Sequence, residues 1–326
     1  MIDVCSLIRA LNDGKPHTGE RLARNFGVAQ MTISRGIEHL KAMGIEVRAV
    51  GEQSHRLARR VDLLDAQAIL QSIDKRTRAA VDRIEVLPEV DSTNAHLMRA
   101  GIAGTAAGLV CLAERQTEGR GRRGRVWVSP FAANVYMSLL WRFNGQAVNP
   151  GRLTTGIGVA VAEALTSLGA TEIALKWPND VLWRRRKLGG ILVERAGYAS
   201  RRIYFVIGIG LNVHMPEHYA PKIGQPWVDL SMVMNGATPS RNEVTARLLQ
   251  ATIAELVLLE HGGRKDLAQV WRSYDCNLGR PVALRTPQGV QRGVVMGIDA
   301  DGRLLLNCGD RQRAFNCGEI SLRSVT

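Results

Sequence analysis

A short basic stretch carries the residues best suited to chemistry. The seven positions from Gly119 to Arg125 hold four arginines and three glycines, between the apolar run LVCLAE and the run VWVSP. Glycines let a backbone approach a ligand closely and point its N–H groups at it, and arginines add paired donors that match carboxylate or phosphate. The stretch alone leaves three interpretations open: an anion cradle, a disordered RNA-binding tract or a solvated basic loop. The strand-like sequences on both sides favour the cradle.

A second basic segment, KWPNDVLWRRRKLGGILVE, has the same character. A strand is expected to deliver Lys176 and Trp177 to a turn, and Lys187 stands where the next strand begins. A basic surface hairpin is the alternative. Two cationic loops on one sheet, interleaved with Trp127, Trp177 and Trp183, indicate a site for an aromatic, polyphosphorylated ligand.

Two further motifs could belong to the same site. Gly208 and Gly210 within VIGIGLNV are typical of a strand that another group approaches closely, although a tightly packed core strand also explains them. The sequence DSTN at 91–94 precedes a helical pattern, where Ser92 or Thr93 could act only as a helix cap.

The elements that must position these motifs fall into three segments. Residues 1–62 predict two short helices around Gly27 and two strands with a turn near Gly51, which together form a helix-turn-helix with a wing. Ala29 offers no capping side chain to the second helix, and Gly36 within it costs about 1 kcal/mol. The residues of this helix expected to face a DNA major groove are Gln30, Met31, Thr32, Ser34 and Arg35.

The second segment, 63–275, alternates helix and strand patterns. A helical stripe that includes Leu153, Ile157 and Val161 ends at Gly169, and a short polar link between two later strands predicts an antiparallel pair within a mixed sheet. The third segment, 276–326, predicts a small β-barrel of short strands, with a hairpin turn at Asp301-Gly302.

Composition excludes several classes of protein. The formal charge of +13 over 326 residues favours an anionic partner. Five scattered cysteines without a C-x-x-C pair, and histidines without metal-binding spacing, argue against disulfides, zinc fingers or another transition metal held by the protein, and we expect no metal-ligating residues. Without a signal-peptide pattern or a membrane span, we expect a cytoplasmic protein.

Taken together, the motifs resemble those of the biotin protein ligases. EVDSTN, ERQTEGRGRRGRVWVSP, NVYMSLLW, LKWPNDV, KLGGILVE, IGIGLNV, GIDADGRLLL and GEISLR occur in the family's order, across nearly the whole chain. The N-terminal helices make it similar to the bifunctional form, which is also the repressor of the biotin operon. The resemblance implies a multidomain α/β protein: a winged helix-turn-helix, a central α+β ligase domain with a mixed sheet, and a C-terminal SH3-like β-barrel.

The resemblance also implies the reaction. Biotin and Mg²⁺-ATP would form biotinyl-5′-AMP, and biotin would pass to a lysine of the biotin carboxyl carrier protein of acetyl-CoA carboxylase. The catalytic residues would be Lys187, Arg120 and Arg122. Biotin would be bound by Ser92, Thr93, Asn94, Gln116, Arg120, Gly121, Arg122 and Lys187. The adenylate would be bound by Gly119, Arg123, Gly124, Trp127, Lys176, Asn179, Asn212 and Trp227.

By the same resemblance, the adenylate-loaded protein would form a homodimer on operator DNA of the biotin operon. Two alternatives stay open: a lipoate-protein ligase, and a transcription factor that senses a ligand without ligase activity. A purely RNA-binding protein explains the charge but not the ordered strand-glycine-strand motifs.

Overall fold

The strands of the protein form three separate sheets. The computed structural model describes residues 2–51, 53–143, 148–196, 204–286, 289–309, 311–316 and 321–324. Within these ranges one sheet has three strands, one has seven and one has five. The three-stranded sheet ends at Leu57, the seven-stranded sheet runs from Arg83 to Leu211, and the five-stranded sheet begins at Pro281.

The N-terminal part combines three helices with the three-stranded sheet. Its elements are α1 Val4–Leu11, β1 His17–Thr18, α2 Gly19–Phe26, α3 Gln30–Ala42, β2 Val47–Val50 and β3 Ser54–Leu57. Gly27 ends α2 in the left-handed conformation, at φ 62°, as the tight turn requires. Ala29 provides no side-chain cap to α3. The sequence analysis did not foresee α1.

Gly36 explains how α1 joins this unit. A Cβ at Gly36 would lie 2.9 Å from side-chain atoms of both Ile2 and Leu7, so only a glycine lets the N-terminal helix pack closely on α3. The buried core beneath it is apolar and comprises residues such as Leu7, Ile8, Leu11, Leu22, Ile33, Ile37 and Leu40. This packing offsets the helix-propensity cost that Gly36 carries.

The central part is built on the mixed sheet that the sequence predicts. Its helices are α4 Ala66–Ser72, α5 Lys75–Ala80, α6 Thr93–Ile102, α7 Pro150–Ser167, α8 Leu230–Val233, α9 Arg241–Glu260 and α10 Leu267–Tyr274. Its strands are β4 Arg83–Leu87, β5 Leu109–Ala113, β6 Val135–Arg142, β7 Ile173–Lys176, β8 Asp180–Trp183, β9 Arg186–Ala196 and β10 Tyr204–Leu211. The order is β4-β5-β6-β10-β9-β8-β7; β4 and β5 run parallel, and the other neighbours run antiparallel.

Helix α7 forms the centre of the main core. Leu153, Ile157, Val161 and Leu165 are all buried along the predicted stripe. Asn149 caps the helix and Pro150 occupies its first turn, which suits proline because its missing N–H is not needed there. Helix α9 packs along α7 and contributes further apolar residues to the same cluster.

The C-terminal part is an antiparallel sheet of β11 Pro281–Thr286, β12 Gly289–Ile298, β13 Leu304–Asn307, β14 Gln312–Phe315 and β15 Ser321–Ser324. The turn at Asp301-Gly302 joins β12 to β13, and Gly302 has the positive φ of 73° that such a turn needs. Cys5, Cys111, Cys276 and Cys308 are free thiols, and Cys317 lies outside the described residues.

One sequence-based expectation is wrong. The run VWVSP after the arginines is not a strand, because Val126 makes only an isolated bridge to Arg120. The segment closes a loop instead of joining the sheet. Among the helices of the described ranges, none has both the length and the apolar character needed to cross a membrane.

Candidate active site

A cavity of about 520 Å³ opens where the predicted motifs meet on the seven-stranded sheet. The predicted site residues that line it are Ser92, Thr93, Asn94, Gln116, Arg120, Gly121, Arg122, Arg123, Trp127, Lys176, Asn179, Lys187, Asn212 and Trp227. Gly119 and Gly124 are not among its lining residues. The fold therefore brings residues as far apart in sequence as Ser92 and Trp227 into one cavity.

One side of the cavity is lined by the polar residues Ser92, Thr93, Asn94 and Gln116. Together with Ser129 and Ser138, which do not line the cavity but hydrogen-bond to Gln116 and to Thr93 and Asn94, they are here called the polar wall. Ser92 caps α6, and Thr93 donates its backbone N–H to Gln116 Oε1 at 2.9 Å. Gln116 Nε2 in turn donates to Ser129 Oγ at 3.0 Å. The cap alternative and the binding-site prediction for DSTN are thus compatible.

The sheet register builds the deepest part of the polar wall. Ser138 of β6, Gly208 of β10 and Leu192 of β9 are direct cross-strand neighbours. The Asn94 side chain lies over Gly208, where a Cβ would collide with it. Ser138 Oγ lies 2.6 Å from Asn94 Oδ1 and 2.8 Å from Thr93 Oγ1. The close approach predicted for this strand is therefore real.

Asp91 anchors the start of the polar wall from outside. Its carboxylate accepts two hydrogen bonds from Arg99, at 2.7 and 3.0 Å, and one from the Ser92 backbone. The Arg99 guanidinium, with help from that backbone N–H, lowers the pKa of Asp91 to about 2. The carboxylate consequently stays ionised and holds the first turn of α6 in place.

The opposite side of the cavity is cationic. The arginine–glycine loop, residues 119–127, is closed by hydrogen bonds from Gly121 N to Arg125 O and from Trp127 N to Gly119 O, both 2.7 Å. Gly119 packs against Trp127 O and Ser129 Oγ, which leaves no room for a Cβ. This glycine shapes the base of the loop, which is why it does not face the cavity.

Lys187 lies at the floor between the two sides. Its Nζ donates to Asp180 Oδ1 at 2.7 Å and lies 5.4 Å from the centre of the Trp127 ring. The Lys187 side chain is only 15% exposed, so its charge acts in a partly desolvated setting. Arg122 reaches the same region, where it donates to Asn179 Oδ1 at 3.1 Å.

Gly210 and Gly190 are paired across β10 and β9 beneath Trp127. A Cβ on Gly210 would come within 2.7–2.9 Å of the indole, whereas one on Gly190 would make ordinary contacts at 3.4–3.6 Å. Gly210 therefore creates the space that the Trp127 ring occupies.

The 213–228 loop covers the cavity from a third direction. Its end is tied to β9, since Lys187 N donates to Pro226 O and Val228 N donates to Lys187 O, both at 2.9 Å. The buried Asn212 amide donates to Val228 O at 3.1 Å. Asn212 thus fixes the root of this loop, and Trp227 at its end lines the cavity.

The three tryptophans expected around the ligand differ in their contacts. Trp127 and Trp177 line the cavity, and Trp183 does not. Trp183 packs between Arg184 and Arg186. Trp177 lines the cavity only in part: the residue is buried, and its indole N–H donates to Gly302 O of the C-terminal sheet at 3.0 Å. Trp177 therefore connects the KWPND turn to the C-terminal part.

A buried ion pair joins the roots of these loops. Arg241 and Glu114 are both fully buried, with 2.8 Å between Arg241 NH1 and Glu114 Oε2. Arg241 also donates to Asn134 O and Asp62 O, and Leu64 N donates to Glu114. Sequence analysis missed this pair, as it missed Ser138, because only the folded chain brings such distant positions together.

The five residues predicted to meet DNA lie at the start of α3. Gln30, Met31, Ser34 and Arg35 are exposed, and Thr32 is half-buried. Met31 is 65% exposed, which is unusual for a large apolar side chain. The apolar face of α3, with Ile33, Ile37 and Leu40, points into the core.

Comparisons with known proteins agree with this geometry. Residues 86–212 match the Biotin/lipoate A/B protein ligase family, and residues 278–323 match the Biotin protein ligase C terminal domain. The chain is 38% identical to the bifunctional ligase/repressor BirA of Salmonella typhimurium, over 98% of this chain and 97% of that protein. The chain belongs to the biotin protein ligase family.

Other members of the biotin protein ligase family match a shorter part of the chain. The biotin–[acetyl-CoA-carboxylase] ligase of Mycobacterium tuberculosis is 34% identical over 73% of this chain and 88% of that protein. The biotin protein ligase of Aquifex aeolicus, solved in complex with biotin and ATP, superposes with a TM-score of 0.63 at 29% identity. The superposition covers 75% of this chain and all of the Aquifex aeolicus chain.

Proposed function

We propose that this protein is an ATP-dependent biotin protein ligase. It activates biotin to biotinyl-5′-AMP and transfers the biotinyl group to a lysine of the biotin carboxyl carrier protein of acetyl-CoA carboxylase. The observation that carries this proposal is the cavity itself, where a pre-formed polar wall faces a cationic loop and a partly buried lysine. That combination suits a ligand with a neutral polar end and an anionic end.

In the first half-reaction, a carboxylate oxygen of biotin attacks the α-phosphorus of ATP, and the bond to pyrophosphate breaks. Both reactants are anionic, so the site must neutralise and align them. Lys187, Arg120 and Arg122 supply the positive charge. The polar wall, with Ser92 and Gln116, binds the neutral end of biotin; this assignment is supported by the burial of most of the wall and by the hydrogen bonds that fix Thr93, Asn94 and Gln116.

In the second half-reaction, the acceptor lysine amine attacks the acyl carbon, and AMP leaves with the former carboxylate oxygen. Lys187 remains beside the acyl phosphate and stabilises the charge that develops. The arginine–glycine loop and the 213–228 loop cover the adenylate and keep water from the mixed anhydride. Within that cover, Trp127 and Trp227 are placed to pack on the flat parts of the ligand.

Magnesium enters this scheme with the phosphates of ATP. Within the described ranges no three His, Cys, Asp or Glu side chains lie together in a way that could hold a metal ion, and Asp180 is the acidic residue in the cavity lining. One carboxylate plus substrate phosphates is a usual environment for Mg²⁺, which would neutralise phosphate charge. Asp180 is the candidate for that carboxylate because it is the acidic residue that lines the cavity.

The domain division that we propose follows from these roles. Residues 1–62 form a winged helix-turn-helix, residues 63–275 the catalytic domain and residues 276–326 an SH3-like barrel. The antiparallel order of the last sheet and the Trp177 contact to Gly302 support the third unit as part of the working enzyme. Free thiols and the family relationship support a cytoplasmic protein.

ATP–pyrophosphate exchange tests the ligase directly. Purified protein with Mg²⁺ should exchange labelled pyrophosphate into ATP when biotin is added, and not when lipoate is added. Exchange with lipoate would assign the sister reaction. Absence of exchange with both would leave a ligand sensor without ligase activity.

A second function, repression of the biotin operon, is favoured by the exposed start of α3. A helix that presents polar side chains and Arg35 outward, beside a two-stranded wing, suits a DNA major groove. We propose that the adenylate-loaded protein binds its operator as a homodimer. Arg35→Ala should weaken operator binding about tenfold, since a good base contact contributes roughly 1–3 kcal/mol, and should leave pyrophosphate exchange intact. Equal operator binding by the variant would refute this use of α3.

A further inference from the structure

A carboxylate that does not line the cavity contacts two side chains that do. Glu194 Oε2 accepts a hydrogen bond from Asn94 Nδ2 at 2.8 Å and from Arg120 NH2 at 3.3 Å. Asn94 and Arg120 belong to opposite sides of the site, and Glu194 lies where those sides meet. On β9 it continues the row of Gly190 and Leu192, two residues beyond the cavity edge.

The contact with Asn94 is made by a buried amide. Only 4% of Asn94 is exposed, and among the described residues its side-chain nitrogen has two acceptors, one for each of its hydrogens. Its oxygen faces Ser138 Oγ at 2.6 Å, and its nitrogen donates to Leu192 O at 3.2 Å and to Glu194 at 2.8 Å. The shorter of the two donated bonds goes to Glu194.

The contact with Arg120 is the weaker of the two. The guanidinium is 40% exposed and the carboxylate 27%, and a pair of this kind contributes little in water. A buried amide hydrogen that loses its acceptor is far more costly. Because an unpaired buried amide costs more free energy than the loss of an exposed ion pair, the hydrogen bond to Asn94 is the main role of Glu194.

We propose that Glu194 is a positioning residue for biotin, acting through Asn94. It fixes the orientation of the Asn94 amide, so that the amide oxygen faces Ser138 and the Ser138–Thr93–Gln116 chain keeps its direction. Loss of the acceptor frees the amide to rotate and disturbs the polar wall where biotin's neutral end would bind. The inference rests on the proposed ligase function.

Two conservative variants separate the effect of the length of the Glu194 side chain from the effect of its charge. Glu194→Gln keeps an oxygen at the same distance without the charge, whereas Glu194→Asp keeps the charge but withdraws the carboxylate by one methylene. Positioning of Asn94 predicts that Glu194→Gln binds biotin within about threefold of the wild type, and that Glu194→Asp binds about tenfold more weakly. The Kd for ATP alone should change in neither variant.

Glu85 provides the matched control. Its side chain is also 27% exposed and accepts hydrogen bonds from Arg83 and pairs with His96, but it lies on edge strand β4 and does not line the cavity. Glu85→Gln and Glu85→Asp should leave the Kd for biotin unchanged. A thermal unfolding midpoint for each variant separates binding from stability.

Titration calorimetry measures the Kd for biotin of the wild type and of each variant, and so tests the role proposed for Glu194. Failure of the wild type to bind biotin would refute the proposed function itself. With a wild type that binds, the reverse order, in which Glu194→Gln is impaired and Glu194→Asp is normal, would assign the role to charge on Arg120 and overturn the proposal. Normal binding by both would also overturn it. Should Glu194→Asp fail to fold, tenfold weaker binding by Glu194→Gln alone would be sufficient to overturn it.

Discussion

The two sides of the cavity are built in opposite ways. Most of the polar wall is buried, with Ser92, Thr93 and Asn94 each under 5% exposed, and hydrogen bonds link its side chains from Asn94 through Ser138 and Thr93 to Gln116 and Ser129. The arginine–glycine loop is exposed at its tip, where Val126 is 80% exposed and Arg123 adopts the left-handed φ of 60°. The wall is ready for a ligand before one arrives, whereas the loop is held at its base and leaves its tip open to solvent.

This difference assigns different tasks to the two sides. A polar surface whose side chains are held by hydrogen bonds to one another gives selectivity for one neutral group, because its remaining donors and acceptors point in fixed directions that only a matching ligand can use. A cationic loop with glycines can move to meet charge and then exclude water. Biotin recognition should therefore depend on the wall, and adenylate formation on the loop and Lys187.

The largest expected effect is on chemistry at the cavity floor. Lys187→Ala should lower the rate of biotin-dependent pyrophosphate exchange by about 10²–10³-fold, the usual loss when a group that stabilises developing charge is removed. Lys75→Ala, at an exposed position on α5, is the control and should leave the rate unchanged. A rate within tenfold of the wild type in Lys187→Ala would show that this ammonium does not carry the reaction.

The second largest effect is expected from substitution in the Gly210–Gly190 pair beneath Trp127, and it should be on ATP binding. Gly210→Ala should weaken ATP binding in the presence of biotin about tenfold or more, because overpacking costs about 1–3 kcal/mol and displaces the indole. Gly190→Ala, directly opposite, should be tolerated since its Cβ has room. Equal behaviour of the two variants would mean that the Trp127 position is not critical.

Ser138 tests the wall itself. Ser138→Ala removes the hydroxyl shared by Asn94 and Thr93, and should weaken biotin binding about tenfold, the cost of an unpaired buried group. The Kd for ATP alone should stay the same. Thr252→Val removes another buried hydroxyl, on α9 away from the cavity lining, and serves as the control. Weaker ATP binding in Ser138→Ala would contradict the division between wall and loop.

Substitution of Glu255 should have the smallest effect on activity. Its expected effect is on the pH dependence of the free energy of unfolding. Burial between α7 and α9 raises the pKa of this carboxyl to about 7, and its Oε1 finds no hydrogen-bond partner within the described ranges. The folded protein thus keeps a proton that the unfolded chain loses near pH 4.5, so stability falls as pH rises from about 4.5 to 7. The loss is about 3 kcal/mol.

Denaturant unfolding at several pH values measures this loss. Glu255→Gln should flatten the pH dependence over that window, whereas Glu243→Gln, exposed on the same helix, should not. Exchange activity at a fixed pH should be the same in both variants. A wild type whose stability is constant between pH 4.5 and 7 would contradict the raised pKa.

The sequence predicts elements better than contacts. Helix α7, the antiparallel β9–β10 pair, the turn at Gly27 and the close approach at Gly208 all follow from periodicity and glycine placement. VWVSP has the composition of a strand, but it lacks a neighbouring edge to pair with. Ser138 and Glu194 gain their roles only from the register of three strands, which no local pattern contains.

Hydrogen–deuterium exchange tests the contrast between the two sides most directly. Peptides covering 91–98 and 135–142 should be protected without ligand and change little when biotin and Mg²⁺-ATP are added. Peptides covering 119–127 should exchange quickly without ligand and gain strong protection with both. A loop already protected without ligand, or a wall that gains as much protection as the loop, would contradict the account.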